Sequence, residues 1–420
     1  MAAMSVRCCV AGGGPAGMML GLLLARTGVE VLVLEKHADF LRDFRGDTIH
    51  PSTLEVLHEL GMLDAFLRRP HQELHKVGAQ IADAAVTVGD FSHLPTRCRF
   101  IALMPQWDFL DFLAEQATPL PGFRLMRQAE VTGLIEEAGR VAGLHVTTPE
   151  GVLEVRASLV VGADGRHSTV RRAAGLEVMN IGAPIDVLWM RISRLPADPV
   201  QSLGRIAGGR MMVTIDRGDY WQCAFVIRKG GFDVIRAQGL DAFRAQVAAL
   251  APYMHDRLGE LAGWDDVKLL TVSVDRLRRW HRPGLLCIGD AAHAMSPIGG
   301  VGINLAIQDA VAAANILATA LSGGGADDAL LAEVQRRRSF PTMMTQRVQV
   351  FLQDRIFRRV LAGGGGGGGG GALPLLFRLL RDFPVLRRIP ARIVGMGFRP
   401  EHVQISARAG SVLHDPLASP

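Results

Sequence analysis

The residues best suited to binding chemistry form a glycine turn at positions 12–17, GGGPAG, which has GxGxxG spacing. The turn follows an apolar run at residues 6–11 and precedes a helical pattern at residues 18–26. Glycines at this spacing permit a tight turn and let backbone N–H groups approach a pyrophosphate at a helix start. Glu35 closes the next apolar run, 18 residues after Gly17, where a carboxylate can bind ribose hydroxyls. The turn therefore predicts dinucleotide binding, and Glu35 favours an unphosphorylated adenosine ribose.

Two later acids also stand directly after apolar runs. Asp164 lies within residues 160–171, VVGADGRHSTVR, and Asp290 lies within residues 287–293, CIGDAAH. The second motif continues into a glycine-rich loop, residues 297–304, PIGGVGIN, which opens a long helical pattern. In open α/β sheets the carboxyl ends of the strands meet along one edge, where ligands bind. We therefore expect the glycine turn, Asp164 and Asp290 to converge on one bound cofactor.

The elements that position these motifs follow from apolar periodicity and turn residues. Helical patterns occupy residues 18–26, 106–117, 240–250 and 302–321, and another begins at Ser52, with Glu55 completing a capping box. Strand patterns occupy residues 6–11, 30–34, 186–192, 210–215, 220–227, 268–274 and 284–288, with three short strands and a buried run between residues 130 and 161. We predict an α/β fold of the Rossmann type, interrupted by a mainly β domain.

The chain divides into five predicted parts. Residues 1–178 and 279–360 form the cofactor-binding domain, and residues 179–278 form the inserted, mainly β domain. Residues 361–372 are a glycine-rich linker, and residues 373–420 form a C-terminal helical segment. That segment is apolar and rich in arginine, so peripheral membrane contact stays open. The favoured interpretation is a helix docked against the cofactor domain.

Composition narrows the functional classes. The net charge of +5 comes almost wholly from arginine, and without a basic helix interleaved with aromatics it predicts no nucleic-acid partner. The five cysteines lack CxxC spacing and the histidines are scattered, which predicts no metal site and a reducing, cytoplasmic compartment. No apolar stretch approaches the ~20 residues that cross a bilayer.

In order and spacing, the three motifs resemble those of the para-hydroxybenzoate hydroxylase family of FAD-dependent (group A) aromatic monooxygenases. The resemblance covers about residues 6–325. It implies the GR2-type FAD-binding fold with an inserted substrate domain and C-terminal helices. It also implies FAD as cofactor, NAD(P)H and O₂ as co-substrates, and an aromatic or phenolic substrate. Such enzymes reduce FAD with NAD(P)H, add O₂ at C4a and transfer one oxygen from the hydroperoxide to the ring.

The resemblance also assigns roles to individual residues. Asp290 resembles the acid that binds the ribityl hydroxyls, and Asp164 resembles a residue associated with the FAD pyrophosphate and with NAD(P)H. The loop before Asn304 would lie along the flavin, with a helix N-terminus at its N1–C2 edge. Gln106 stands where relatives often have arginine, which weakens its expected ribityl contact. The predicted cofactor set is Gly12, Gly14, Pro15, Ala16, Gly17, Glu35, Lys36, Arg45, Gln106, Val131, Asp164, Gly289, Asp290, Pro297, Gly300, Gly302, Ile303 and Asn304.

Substrate contacts are less well defined by the sequence. The candidates are His50, Trp189, Arg191 and Trp221, for which ordinary capping, core or surface roles stay open. No residue is assigned to proton transfer. A flavin-dependent halogenase is disfavoured because the WxWxIP signature is absent, whereas a polyprenyl reductase and a flavin-binding accessory protein without turnover stay open. Substrate identity, the choice of NADH or NADPH and the oligomeric state are not specified.

Overall fold

The computed structural model describes residues 2–41, 48–81, 84–199, 203–354 and 375–405. Arg45 lies outside the described residues, as do Asp47 and the nine consecutive glycines of the predicted linker. Within the described part, helices and sheets form a mixed α/β structure, as the sequence predicts.

Helices appear where apolar periodicity is strong. The described α-helices are α1 (Pro15–Arg26), α2 (Pro51–Glu59), α3 (Leu63–Leu67), α4 (Gln106–Ala117), α5 (Thr169–Ala173), α6 (Phe232–Ala237), α7 (Leu240–Leu250), α8 (Gly302–Gly323), α9 (Asp328–Leu352), Leu375–Asp382 and Arg388–Met396. The predictions for α4 and α7 are confirmed at both ends. The capping box is wrong: α2 begins at Pro51, because proline is favoured where its missing N–H needs no partner. Glu55 instead accepts a hydrogen bond from the backbone N–H of Arg97.

The strands are short, and most belong to two large sheets. They are β1 (Ala2–Ala11), β2 (Val31–Leu34), β3 (Thr48–Ile49), β4 (Gln72–Leu74), β5 (Lys76–Ile81), β6 (Ala84–Asp90), β7 (Ile101–Leu103), β8 (Phe123–Met126), β9 (Glu130–Glu137), β10 (Arg140–Thr148), β11 (Gly151–Gly162), β12 (Val178–Asn180), β13 (Ile185–Ser193), β14 (Leu203–Ala207), β15 (Arg210–Asp216), β16 (Tyr220–Arg228), β17 (Lys268–Leu270), β18 (Asp275–Leu277), β19 (His281–Arg282), β20 (Leu285–Cys287) and β21 (His293–Ala294).

The first sheet has the order β19-β20-β11-β1-β2-β8, and its strands from β20 to β8 are parallel. β11 is one long strand: its first half pairs with β10 and its second half with β20, whereas the sequence suggested a short strand and a separate buried run. The central strands are continuous apolar runs because helices cover both faces of a parallel sheet.

The second sheet has the order β17-β13-β16-β15-β14-β5-β6, and every neighbouring pair except β14 with β5 is antiparallel. One side carries Leu188, Met190 and Phe225 and packs on α7; we call it the helix-facing side. Val187, Trp189, Val213, Ala224 and Val226 lie on the opposite, loop-facing side, because side chains alternate along a strand.

Two predictions about the second sheet need correction. β5 and β6 belong to it, although they lie inside residues 1–178, so the boundary at residue 178 does not separate the two sheets. β17 ends at Leu270 and does not reach residue 274. The reason is local: Asp186 accepts the N–H of Val272 at 2.9 Å, and Lys229 donates to the Val272 carbonyl, so side chains replace a strand partner.

The helices Leu375–Asp382 and Arg388–Met396, with the turn between them, form what we call the C-terminal helix pair. Its buried side chains contact the second sheet: Phe377 and Leu380 pack on Val86 of β6, and Ala391 packs against Phe91 just after β6. The expected docking partner, the cofactor domain, therefore supplies only part of this contact.

One stretch, Ile298–Gly323, has the length and apolar composition to cross a membrane, contrary to the expectation that none would. It comprises a short turn and α8, and 78% of its most apolar window is buried inside the protein. Its apolar character is accounted for by its place in the core, between α1 and α9.

Candidate active site

The carboxyl ends of four parallel strands lie in one row along the first sheet. Ala11 of β1 pairs with Gly162 of β11 and with Leu34 of β2, and Gly162 pairs with Cys287 of β20. The glycine turn, the two acidic motifs and the acid after β2 each follow one of these residues. The structure thus brings the separate motifs of the sequence to a single edge.

The backbone of the glycine turn lies directly against the Asp164 motif. Gly12 has a φ of +108°, and a Cβ built on it would lie 2.4 Å from the carbonyl oxygen of Ala163. A Cβ on Gly17 would lie 2.0 Å from the carbonyl oxygen of Gly12. Only glycine fits at these two positions, because the obstructing atoms are backbone and cannot rotate away.

The helices α1 and α8 begin without side-chain caps at this edge. A Cβ built on Gly14, the N-cap of α1, or on Gly302, the first residue of α8, would meet no atom within 4 Å. Gly289 lies between the two starts, since its Cβ would be 3.1 Å from Ala16 and 3.4 Å from Ala306. Uncapped N–H groups at helix starts attract negative charge, so the edge suits a pyrophosphate and a ring that becomes negatively charged when it is reduced.

Glu35 extends from the end of β2 towards the glycine turn. Its carboxylate accepts the N–H of Gly13 at 3.1 Å, and its carbonyl accepts the N–H of Ala129 at 2.9 Å. The second contact brings Val131, at the start of β9, to the segment beside Glu35. Lys36 is exposed. The predicted neighbours of the adenosine therefore lie on adjacent segments.

The two acidic motifs contact each other through an arginine. Arg166 donates to the carboxylate of Asp290 at 3.3 Å, and the Asp290 side chain is about one third exposed. Asp164 is more enclosed: it accepts from the Ser168 hydroxyl and, at 3.1 Å, from the N–H of Val170. Burial raises the pKa of the Asp164 carboxyl above its ordinary value. Asp164 thus holds the start of α5, while the Asp290 carboxylate faces the edge.

Asp309, a fully buried acid that no sequence motif singled out, anchors the Asp290 motif. One carboxylate oxygen accepts the N–H of Gly289 at 3.0 Å and lies 2.6 Å from Nε2 of His293. The other accepts from Nε of Arg338 at 2.9 Å. The signal in the sequence was an acid within the apolar run AIQDAVAAA of α8. A buried carboxylate needs such partners to remain charged.

The network of Asp309 continues into the C-terminal part of the chain. Glu401, which is buried, lies 3.5 Å from Arg338 and accepts a hydrogen bond from Arg337 at 2.9 Å. The backbone N–H of Glu401 also donates to the side chain of Gln308 on α8. Ion pairs therefore connect residue 401 to the loop at Gly289.

Asn304 holds its loop in place instead of pointing its side chain at the open edge. Its Oδ1 accepts the N–H of His50 at 2.8 Å and the hydroxyl of Thr53 at 2.7 Å, and its Nδ2 donates to the carbonyl of Thr48. Thr48 donates in turn to the carbonyl of Gly300 at 2.9 Å. Any contact of Asn304 with a cofactor is therefore left to its backbone.

The other predicted cofactor residues lie near these groups. Pro297 and Gly300 bracket a tight turn before α8, and Ile303 is buried in the first turn of that helix. Gln106 is the first residue of α4 and is half-buried.

His50 is a buried structural residue. Its ring is 0% exposed, and Nδ1 lies 2.8 Å from the carbonyl oxygen of Val394 in the C-terminal helix pair. Nε2 has no hydrogen-bond partner among the described residues. Burial lowers the pKa of His50 to about 4, because a proton on Nε2 would leave a charge without a partner. His50 is the N-cap of α2 by position, but its side chain makes no capping hydrogen bond to that helix.

We expect His50 to make stability depend on pH. The pKa is lower in the folded state, about 4, than its ordinary value of 6.5, so the unfolded chain binds more protons between these values. The stabilisation is complete above pH 6.5 and is lost as the pH falls towards 4. Between about pH 7.5 and pH 5 the loss is about 2 kcal/mol. Urea unfolding of His50→Asn, which keeps an N–H for Val394, should lack this part of the pH dependence. Parallel pH profiles for the variant and the parent protein would contradict this role.

Trp221 cannot contact a substrate at this edge, which corrects the prediction for it. It is fully buried on the helix-facing side, where its Nε1 donates to Asp198 at 2.8 Å. Strand alternation decides this outcome, because Trp221 pairs with Ile192 and shares its side of the sheet. The sequence showed the strand but not which side would face the cofactor domain.

Trp189 and Arg191 are on the loop-facing side, but at different depths. Trp189 is 9% exposed and packs with Val187, Ala224 and Val272. Arg191 is largely exposed and lies over the ring of Tyr220 at 3.9 Å. Trp189 therefore remains a candidate for substrate contact, whereas Arg191 belongs to the surface.

The loop-facing side approaches the loop before α8 directly. Ile298, between Pro297 and the start of α8, packs against Ile185, Met211 and Val226 of the second sheet. The open edge of the first sheet and an apolar side of the second sheet are therefore neighbours. This arrangement suits a bound cofactor with an apolar substrate beside it.

Comparison with known proteins shows the family of this chain. The FAD binding domain family matches residues 5–348. The 6-methylpretetramide 4-monooxygenase of Streptomyces rimosus is 36% identical over 350 residues, which cover 83% of each chain. Rifampicin monooxygenase of Streptomyces venezuelae is 31% identical over 315 residues, which cover 72% of this chain and 61% of that protein. The structure of an anhydrotetracycline hydroxylase from Streptomyces rimosus is similar with a TM-score of 0.71 at 25% identity, covering 93% of this chain and 76% of that one.

The family match extends over most of the chain and includes all three motifs. The relatives bear the names of monooxygenases, so the predicted cofactor, fold class and enzyme class are confirmed. The chain belongs to the FAD-binding-domain family and is an FAD-dependent monooxygenase of the para-hydroxybenzoate hydroxylase type.

Proposed function

We propose that this monooxygenase hydroxylates a large aromatic substrate with several rings and phenolic or carbonyl oxygens. The main support is the 36% identity to 6-methylpretetramide 4-monooxygenase over 83% of both chains. The other two relatives are named for rifampicin and anhydrotetracycline, which are also large multi-ring molecules. The apolar loop-facing side of the second sheet agrees with such a substrate.

The reaction balances with one nicotinamide per turnover. An aromatic C–H becomes C–OH with one atom of O₂, the other atom leaves as water, and NAD(P)H with one proton provides the two electrons. FAD, when bound, supplies the chemistry that activates O₂, so the protein has to bind, orient and exclude water.

Specific residues fit the binding of FAD. The uncapped start of α1 at Gly14 would hold the pyrophosphate, and Glu35 would bind the adenosine ribose. Asp290 would bind the ribityl chain, since its carboxylate is partly exposed at the same edge. The start of α8 at Gly302 would place about half a positive charge near the ring that takes up electrons. The contacts predicted for Arg45, Gln106, Val131 and Lys36 stay predictions.

The substrate would lie between the α8 loop and the second sheet. Val187, Val213 and Ala224 supply an apolar surface there, and Trp189 offers an aromatic ring for stacking. Apolar walls keep water away from the reacting oxygen, which protects the oxygenation from unproductive loss of reducing equivalents.

The proposal is tested by NADH and NADPH oxidation with purified FAD-loaded enzyme, with and without multi-ring phenols. We expect the phenol to stimulate oxidation and to gain one oxygen atom, which carries the label when ¹⁸O₂ is used. Flavin reduction without oxygen incorporation would indicate a reductase, and flavin that is never reduced would indicate an accessory role.

A pair of variants locates the substrate. Trp189→Ala should raise the KM for the phenol about tenfold or more while FAD absorbance and FAD affinity stay unchanged. Leu269→Ala is the matched control, because Leu269 is exposed on the helix-facing side of the same sheet edge. Equal KM values for the two variants would place the substrate elsewhere.

A further inference from the structure

The C-terminal helix pair exposes an unusual concentration of large apolar side chains. Leu379, Phe383, Val385 and Ile389 are 37%, 57%, 60% and 58% exposed, respectively. They occur within eleven residues, whereas the other exposed large apolar side chains of the described chain are scattered. Such a cluster commonly marks an interaction surface, because isolated exposed apolar residues are normal but contiguous ones are not.

The four side chains are arranged around the turn between the two helices. Leu379 and Phe383 are four residues apart and share a side, because the N–H of Phe383 still donates to the carbonyl of Leu379 at 2.9 Å. Val385 and Ile389 have the same spacing on the following segment. Pro384 lies between the pairs at the tip. The opposite side is occupied, as its buried residues pack on β6.

Arginines flank these apolar residues along the sequence. The segment from residue 375 to residue 396 contains five arginines and one acid, Asp382, which pairs with Arg381 at 2.8 Å. Arg387 donates to the carbonyls of Leu380 and Arg381 and so connects the two segments of the helix pair. The remaining exposed arginines are Arg378, Arg388 and Arg392.

We propose that this tip, with Arg378, Arg381, Arg388 and Arg392 around Leu379, Phe383, Val385 and Ile389, docks on an anionic lipid bilayer. Interfacial segments combine an apolar face with basic side chains at the level of the headgroups. The strong excess of positive charge selects a negative surface, and the long arginine side chains reach headgroups while the tip inserts. A second copy of the chain would bring like charges together, so it is the disfavoured occupant.

Membrane docking is a property separate from the proposed hydroxylation. It depends on no bound flavin, and its test does not require activity. The helix pair also packs near the α8 loop through the contact of Val394 with His50, so membrane docking and the active site share a structural element.

The test is co-sedimentation of the FAD-loaded protein with phosphatidylcholine vesicles and with vesicles containing phosphatidylglycerol. We expect at least about tenfold stronger binding to the anionic vesicles, weakened by salt. The double variant Phe383→Ser/Val385→Ser should lose about tenfold or more, because two inserted apolar side chains are removed. Arg378→Gln/Arg392→Gln should lose the preference for anionic vesicles.

The matched control is Leu195→Ser/Val234→Ser, which removes two exposed apolar side chains, 48% and 64% exposed, from other surfaces. It should bind as the parent protein does. Circular dichroism and flavin absorbance verify that all variants fold. Three results would each overturn the proposal: no binding of the parent protein to anionic vesicles, equal loss in the control, or light scattering that shows a dimer abolished by the tip variant.

Discussion

Replacing Asp309 by alanine is expected to destabilise the protein by about 3–5 kcal/mol and to release FAD, although the side chain lies beneath the cofactor edge. The change removes the hydrogen-bond partner of the buried His293 ring, leaves the Arg338 guanidinium with only its longer contact to Glu401, and frees the N–H of Gly289. Removing one member of a buried ion pair is costly, because the remaining charge stays desolvated. Urea unfolding and fluorescence titration of FAD measure the two effects.

Asp241→Ala is the control, since the Asp241 side chain is 94% exposed and pairs with Arg244 at the surface. The free energy of unfolding of Asp241→Ala should differ from that of the parent protein by at most about 0.5 kcal/mol.

Burial would raise the pKa of Asp309, but His293 and Arg338 hold it below the ordinary value. The contribution of Asp309 is therefore complete at neutral pH and is lost only as the pH falls through that lowered pKa. A loss below about 1 kcal/mol in Asp309→Ala would show that the network does not anchor the loop.

Gly12→Ala is expected to destabilise the protein strongly, although it adds only one methyl group. The added Cβ would lie 2.4 Å from the carbonyl oxygen of Ala163 and 2.9 Å from the Cα of Asp164, and the φ of +108° disfavours any side chain. The glycine turn and the Asp164 motif would have to separate. We expect a loss of at least about 4 kcal/mol in unfolding free energy, and no retained flavin after purification.

Two other glycine variants separate the possible causes of the Gly12→Ala effect, which are steric clash, backbone strain and loss of cofactor contact. Gly139→Ala introduces a side chain at a φ of +77° with no atom within 4 Å, so it measures backbone strain alone, about 1–2 kcal/mol. Gly14→Ala meets no atom within 4 Å and keeps an ordinary negative φ, so the apoprotein should fold normally. FAD affinity should still fall in Gly14→Ala if the pyrophosphate approaches that position. Equal stability of Gly12→Ala and Gly139→Ala would show that the contact with Ala163 is unimportant.

Elements whose structure depends mainly on their own residues could be predicted from the local sequence pattern. The strand, turn and helix around residues 12–17 were predictable because GxGxxG spacing, apolar runs and a later acid agree with each other. The ends of α4 and α7 followed from apolar periodicity in the same way. The convergence of the three motifs followed from the rule that parallel strands end at one edge, which the register of Ala11, Gly162 and Cys287 now shows.

Pairings between segments that are distant in the sequence could not be predicted from local patterns. β5 and β6 join the second sheet through a parallel contact of β5 with β14, about 125 residues away, and no local pattern records such a partner. Trp221 was misplaced because a strand pattern gives two sides without saying which one faces the cofactor. Asp309 was missed because its partners, Gly289 and Arg338, come from separate elements.

The chain segments that complete the site come late in synthesis. His50 contacts Val394, and the network that anchors Gly289 runs through Arg338 to Glu401. The glycine turn leaves the ribosome hundreds of residues before these partners emerge, so a nascent chain has the glycine turn without the contacts that support the edge of the first sheet. Flavin retention should therefore require that residue 401 has been synthesised, and messages truncated before codon 401 should yield protein that fails to retain the cofactor.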